Sequence, residues 1–322
     1  MKNILLFYSF FFLVSCNSQS EFLPQHKYYT WEGLEPDRWS SVWLLKRHID
    51  TSSEISILPV GAQINNAIAI ATPKSKVKRT HGFSNYENMV KAYNKSSDAG
   101  LIRLGKIINE IEISPWRSST PAVAVVETQF RALQLKYNRI DVPYDCYAGF
   151  FDVLYGVLSE GKTEESEAYL SALNAKLAPD TVCQVTNDTI AVDSEIPVQE
   201  YPVDYVLKMI AANKTVVFVD TREDEEFDEH HIPGAVNLKL REVMASSAKQ
   251  FEDADLVISY CIKDFRGYEV ALALSKVGVK NIGIMKPYGL KGWKDLGLPV
   301  ANSKISDATA IDLLKKRAAS GV

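Results

Sequence analysis

Cys261 closes an apolar, β-branched run, Asp255-Leu-Val-Ile-Ser-Tyr260, and is followed by Ile262-Lys263-Asp264-Phe265-Arg266-Gly267. A helical pattern then runs from Tyr268 to Val277 and stops at Gly278. A strand, a short loop and a helix gather backbone N–H groups and the positive end of a helix dipole around one residue. Lys263 and Arg266 add positive charge. All three effects favour thiolate over thiol, so the pattern predicts a nucleophilic Cys261. Ile262, Lys263, Asp264, Phe265, Arg266 and Gly267 would then form the surface that receives an anionic substrate. A lone cysteine at a strand end is more often a buried, inert thiol; here the flanking cations and the loop favour function.

The elements that must position this loop are legible on either side of it. Val216-Val-Phe-Val-Asp220 reads as a strand, with Asp220 and Arg222 at its end either bracing the site or, the preferred reading, forming a structural ion pair. His231 would fix its own loop by hydrogen bonding. Tyr201 to Ala211 has helical periodicity, and Ser306 suits the cap of a last helix, Asp307 to Arg317.

Residues 216–300 resemble the rhodanese family. The resemblance rests on Asp220-Thr-Arg222-Glu223, Glu225-Glu226-Phe227, His231-Ile232-Pro233-Gly234-Ala235-Val236-Asn237 and Gly289-Leu-Lys-Gly292-Trp293-Lys-Asp-Leu-Gly297-Leu-Pro299-Val300, in the family's order. It implies an α/β domain, a parallel sheet flanked by helices, over 196–302. It also implies sulfane-sulfur transfer through a persulfide on Cys261, with Arg266 and Lys263 holding the donor's anionic end. Four residues separate Cys261 from Arg266. That is the sulfur-transferring length; the cell-cycle phosphatases that resemble this family have one more, so a phosphatase is the weaker reading. The loop departs from the family pattern: Asp264 stands at the usual Gly place, Gly267 at the usual Ser place, and His230 replaces a common Gly. Asp264 puts a carboxylate near the reactive sulfur, where it would tune substrate choice or weaken anion binding.

Residues 26–160 form a separate, mostly α-helical domain. Helical periodicity covers 36–50, 85–93, 100–110, 130–135 and 147–158, with a short strand over 54–59 and Trp39 and Trp43 as core residues. Asp37-Arg38, Ser41, Trp43-Leu44, Arg47, Ile49-Asp50, His81-Gly-Phe-Ser-Asn-Tyr86 and Tyr147-Ala-Gly149-Phe-Phe-Asp152-Val-Leu-Tyr155 resemble the chromate-resistance domain of ChrB-type proteins. That resemblance implies a link to chromate resistance, and Arg38, Arg47 and His81, with Arg79 nearby, are candidate ligands of a tetrahedral oxyanion. The alternative is that Arg38 and Arg47 are helix-surface residues paired with Asp37 and Asp50.

Residues 161–195 read as a linker, with a polar-faced helix over 162–177, and 303–322 as a C-terminal helix and tail. Residues 1–15 carry a basic start and an apolar run too short to span a bilayer stably. Ser15-Cys16 resembles a bacterial lipoprotein cleavage box, which implies a signal peptide over 1–15, lipidation of Cys16, a tether over 16–25 and a membrane anchor in the bacterial cell envelope, facing the periplasm or the exterior. The alternative is an ordinary secretory signal. The chain has 322 residues, 46% of them hydrophobic, a net charge of −4 and no long basic run, which leaves nucleic-acid binding without support. Of four cysteines, Cys146 and Cys183 remain as a disulfide or as two buried thiols. No Cys or His cluster has metal-ligand spacing, and no cofactor is called for. The expected function is an envelope-anchored sulfurtransferase with a small sulfur-donor anion and a thiol or protein-thiol acceptor as partners. A non-catalytic oxyanion- or persulfide-binding sensor is the alternative, and a thiol oxidoreductase partner a third reading.

Overall fold

A computed structural model describes residues 27–80, 82–116, 120–140, 142–161, 166–185 and 198–320. The expected signal peptide, the lipidated Cys16, the tether over 16–25 and His81 lie outside the described residues. Among the described residues no helix is long and apolar enough to cross a membrane.

The N-terminal half begins with β1 (Lys27–Trp31), whose last four residues are buried. It is the centre of a parallel three-stranded sheet, between β2 (Glu54–Leu58) and β3 (Ile68–Ala69). Sequence periodicity predicts β2 but not β1, because Tyr-Tyr-Thr-Trp is buried on both faces and shows no alternation. α1 (Pro36–Leu44) starts with proline in its first turn, as expected, then widens into a π-helical turn at Leu45–Ile49. Five more helices follow: α2 (Asn85–Ala92), α3 (Ala99–Glu112), α4 (Pro121–Lys136), α5 (Tyr144–Ser159) and α6 (Glu167–Lys176), then the single turn α7 (Pro179–Val182). Side-chain caps start them: Ser84 with Glu87 forms a capping box at α2, and Asp98, Thr120 and Ser166 cap α3, α4 and α6. Trp39 and Trp43 are core residues, as expected: Trp39 stacks on Tyr147 at 4.7 Å, and Trp43 packs near Phe151.

The reading of 161–195 as a linker needs correction over 166–185. Leu173, Leu177, Val182 and Cys183 belong to the N-terminal core, and a disulfide joins Cys183 to Cys146 on α5. Leu173 is the one buried position of α6, so the helix is mostly solvated yet pinned by that residue. Spacing along the chain cannot reveal such a contact.

The C-terminal half runs β4 (Gln199–Pro202), α8 (Val203–Ala211), β5 (Val216–Asp220), α9 (Asp224–Glu229), β6 (His230–His231), β7 (Val236–Asn237), β8 (Leu256–Tyr260), α10 (Phe265–Lys276), β9 (Ile282–Lys286), α11 (Gly289–Asp295), β10 (Ala301–Asn302) and α12 (Asp307–Ala319). The main sheet is parallel, in the order β4-β9-β8-β5-β7, with β8 in the middle and all five of its residues buried. A strand covered on both faces reads as an unbroken apolar run, which is how the sequence shows it.

The two halves are not beads on a string. Phe265, Tyr268 and Ala271 of α10 and Ile284 of β9 belong to the same hydrophobic cluster as Phe130, Leu133 and Tyr147 of α4 and α5. Leu34 N–H donates to Glu269 Oε1 on α10 at 3.1 Å.

Candidate active site at the domain interface

Cys261 follows the central strand β8 directly, so the sulfur sits at the carboxyl end of a parallel sheet, where such sheets place their ligands. α10 begins at Phe265, three residues earlier than its periodicity indicates, which brings its first turn against the loop. Gly267 allows this: a Cβ there would lie 2.8 Å from Tyr260 Cα. The serine usual at this position would push the helix off the strand. On the far side Gly289 lies against the Ile262 and Lys263 carbonyls, and the Leu290 and Lys291 N–H groups donate to the Cys261 and Ile262 carbonyls, both at 2.9 Å. The loop is thus held between α10 and α11.

Backbone N–H groups of Gly267 and Lys263 hydrogen-bond the sulfur, and the Arg266 guanidinium acts on it electrostatically. These are the expected anion-stabilising elements. They do not prevail. Cys261 is 4% exposed, and burial pushes its thiol up to about 11 against the pull of Arg266 and the backbone donors, with Asp264 adding to the rise. The expectation of a thiolate at neutral pH is therefore corrected: the resting side chain is a protonated thiol. Alkylation of Cys261 by iodoacetamide should accelerate about tenfold per pH unit between pH 7 and 10, because only the thiolate reacts and its fraction grows tenfold per unit below the pKa. A rate that levels off near pH 8 would contradict the burial effect.

The loop's charged side chains turn to partners that chain distance hides. Lys263, expected to hold substrate, is instead ion-paired with Glu127 of α4. Asp264, 1% exposed, is bound by Arg131, and its other oxygen lies 2.8 Å from Arg139. Both arginines outweigh its burial and keep its carboxyl below the ordinary range. The same guanidiniums lie over rings of the C-terminal half: Arg131 over Phe265 and Tyr288 at 4.4 and 4.6 Å, Arg139 over Tyr268 at 4.0 Å. Asp264 is thus mainly a docking residue for the N-terminal half, although its charge still reaches the sulfur. Arg266 forms a two-bond pair with Glu226 of α9 at 2.9 and 3.1 Å, and its Nε lies 3.6 Å from Glu35. Ile262 and Phe265 are buried.

Asp220 and Arg222 form the expected structural pair, 0% and 1% exposed in their side chains and 2.7 Å apart, and Arg222 also donates to the His230 carbonyl at 2.6 Å. His231 holds its own loop, its Nδ1 lying 2.9 Å from the Phe227 carbonyl and its ring stacked on Phe227 at 3.9 Å. The proposed gathering of Arg38 and Arg47 into one oxyanion site is not what forms, and neither arginine pairs with the aspartate expected. Arg38 is buried against Glu35 and the Trp31 and Glu32 carbonyls. Arg47 grips Asp152 of α5 through two bonds at 3.0 and 2.7 Å. Arg79 does lie beside Arg38, since both hold Glu35: Arg79 is 2.8 Å from that carboxylate and 3.3 Å from Asp37.

Sequence reading missed Glu35, Glu127, Arg131 and Arg139. Glu127 and Arg131 are four residues apart on α4 and resemble an ordinary helix-surface pair. The one signal available was Asp264 itself, an acidic residue at a place that ordinarily has no side chain.

Between the halves lies a cavity of about 660 Å³, walled by β1, α1 and the 72–80 segment on one side and by Thr221–Glu229, Ile262 and Arg266 on the other. Glu35 within it is kept ionised, its carboxyl held well below the ordinary range because Arg79, Arg38 and Arg266 outweigh its burial. Glu269 goes the other way, raised to about 8 by burial.

Comparison with known proteins agrees with this division. Residues 28–158 match the C-terminal domain of ChrB, and residues 202–296 match the rhodanese-like domain. No curated protein matches the chain. Among solved structures, BH2092 protein from Bacillus halodurans is 18% identical over 33% of this chain and 78% of its own, with a TM-score of 0.29. An uncharacterized protein from Saccharomyces cerevisiae is 24% identical over 31% and 93%, with a TM-score of 0.25. Scores this low carry no weight for the chemistry. The chain thus carries a ChrB C-terminal domain over residues 28–158 followed by a rhodanese-like domain over residues 202–296.

Proposed function

We propose that the protein carries sulfane sulfur on Cys261. The observation that supports this reading most is the cradle itself: a cysteine at the carboxyl end of the central parallel strand, with the Gly267 and Lys263 N–H groups on its sulfur and the charge of Arg266 acting on it. The same donors that fail to ionise the buried thiol would stabilise a persulfide, which is more acidic and carries its charge one atom further out. The thiolate attacks the outer sulfur of a thiosulfate or persulfide donor, the donor's S–S bond breaks, and sulfite or a thiolate leaves. A thiol acceptor then removes the sulfur, completing a double-displacement cycle. Intact mass measurement after incubation with thiosulfate tests this: one added sulfur on Cys261, removed by cyanide, is expected. No added sulfur at any pH from 7 to 10 would abandon the transferase reading.

A second reading, a binding or sensing module with little turnover, is favoured by Cys261's burial and by Glu226's hold on Arg266. Stable persulfide with no release to a thiol would favour it. The ChrB C-terminal domain supports a link to chromate resistance.

The protein would act at the cell envelope, anchored through Cys16. The basic start and apolar run before Ser15-Cys16 support this, as does the Cys146–Cys183 disulfide, a bond of oxidising compartments. Cys16→Ser should move the protein from the membrane to the soluble fraction; unchanged fractionation would remove the anchor.

A further inference from the structure

We propose that Arg131 and Arg139 of the N-terminal half are positioning residues for Cys261: they draw the Asp264 carboxylate away from the start of α10 and so reserve the Gly267 N–H for the sulfur. The reactive loop is then complete only with the N-terminal half docked on it. The proposal concerns the site of the sulfur-carrier reading, but it is measured on the thiol itself.

Asp264 is the N-cap residue of α10, and Gly267 is the third residue of that helix. An aspartate at an N-cap ordinarily accepts from the N–H of the second or third helical residue. Asp264 makes no such bond. Its oxygens turn instead to Arg131 and to Arg139, the latter 2.8 Å away. The Gly267 N–H goes to the Cys261 sulfur, beside the N–H of Lys263. One donor thus has two candidate acceptors, and the arginines decide between them.

They do so from a fixed frame. Glu127, one turn before Arg131 on α4, holds Arg131 at 2.8 Å and is ion-paired with Lys263. Opposite charges therefore alternate from Lys263 through Glu127, Arg131 and Asp264 to Arg139, leaving the loop at one residue and returning to it at the next. Arg131 lies over Phe265 and Arg139 over Tyr268, and Phe265 packs against Phe130 of α4 at 6.2 Å. These apolar contacts already join the halves, and a buried ion pair adds little net stability over apolar side chains of similar volume. Docking alone therefore does not call for a charge network on the residues that follow Cys261; control of the loop does.

Arg131 and Arg139 also offset the charge that Asp264 exerts on the sulfur. Arg266, shared with Glu226 of α9 and with Glu35, is the other charged side chain that acts there. Removing one of the two docking arginines leaves Asp264 with less counter-charge and frees it to take the Gly267 N–H. The thiolate then loses a hydrogen-bond donor and gains a less compensated anion nearby, and both disfavour it. A loop that merely loosened would act the other way, since water reaching the buried sulfur favours the thiolate.

The test is the rate at which iodoacetamide alkylates Cys261 in the full chain, from pH 7 to 10, read by mass spectrometry of the peptide that carries it. Arg131→Met and Arg139→Met should each slow alkylation about fivefold across this range, because the thiolate fraction falls in step with the rise in the thiol's pKa. The triple exchange Arg131→Met, Arg139→Met and Asp264→Leu leaves neither a carboxylate nor a capping group, and should return the rate to within about twofold of wild type. Either arginine variant serves if the other does not fold. Unchanged or faster alkylation in a folded arginine variant overturns the proposal, and so does slowing that the triple exchange leaves uncorrected. No sulfur donor enters the measurement, so failure to take up sulfur from thiosulfate would end the sulfur-carrier reading and leave this proposal standing.

Discussion

Cys261→Ser is expected to abolish sulfane-sulfur uptake while leaving the fold intact. Cys261 is the free cysteine of the described residues, since Cys146 and Cys183 are joined. Serine is close to cysteine in shape, and its hydroxyl can accept from the Gly267 and Lys263 N–H groups that now hold the sulfur. The position is 4% exposed, so a volume error would show as lost stability, and the near-isosteric exchange keeps that loss small. Intact mass after thiosulfate should show no added sulfur, while the unfolding midpoint moves little. Sulfur uptake at the wild-type level by the serine variant would remove Cys261 from the mechanism.

Asp264→Ala should be the most destabilising single exchange at the domain interface, by roughly 3–5 kcal/mol, the range for removing one partner of a buried ion pair. Arg131 and Arg139 both converge on this carboxylate, with side-chain exposures of 14% and 7%. Without it the half-buried Arg131 and the buried Arg139 both lose this counter-charge. Replacing all three together, as Arg131→Met, Arg139→Met and Asp264→Leu, should cost less than Asp264→Ala alone, because no charge is then left uncompensated. Urea unfolding of the two variants measures both numbers. A loss below about 1 kcal/mol for Asp264→Ala would mean that the cluster behaves as an exposed surface pair.

These two residues differ in how far the sequence discloses them. The role of Cys261 is local. An apolar run, a short loop and a helical period lie within about two dozen residues, and each is set by backbone geometry that neighbouring residues specify. The pair Asp220–Arg222 and the self-bonded His231 are legible for the same reason, their partners lying two and four residues away. Asp264 reads as an anomaly in its loop, and nothing near it explains the carboxylate. Its partners stand 133 and 125 residues upstream, on α4 and just beyond it. The expectation for Arg47 failed in the same way, since its partner Asp152 comes from a different helix, whereas Arg38 turned to Glu35 only three residues before it.

The sequence by itself determined the order of the two domains, most of their helices, the central strand and the residue proposed to carry the sulfur. All of these follow from periodicity, capping and motif spacing, which act over short stretches of chain. Only the tertiary structure decided the state of that residue. A thiol's pKa depends on how much water reaches it and on which charges surround it. Burial of Cys261 pushes its thiol up to about 11, and the nearby Arg266 is shared between Glu226 and the distant Glu35. The packing that sets both is built by residues far apart in the chain, so local spacing carries no record of it.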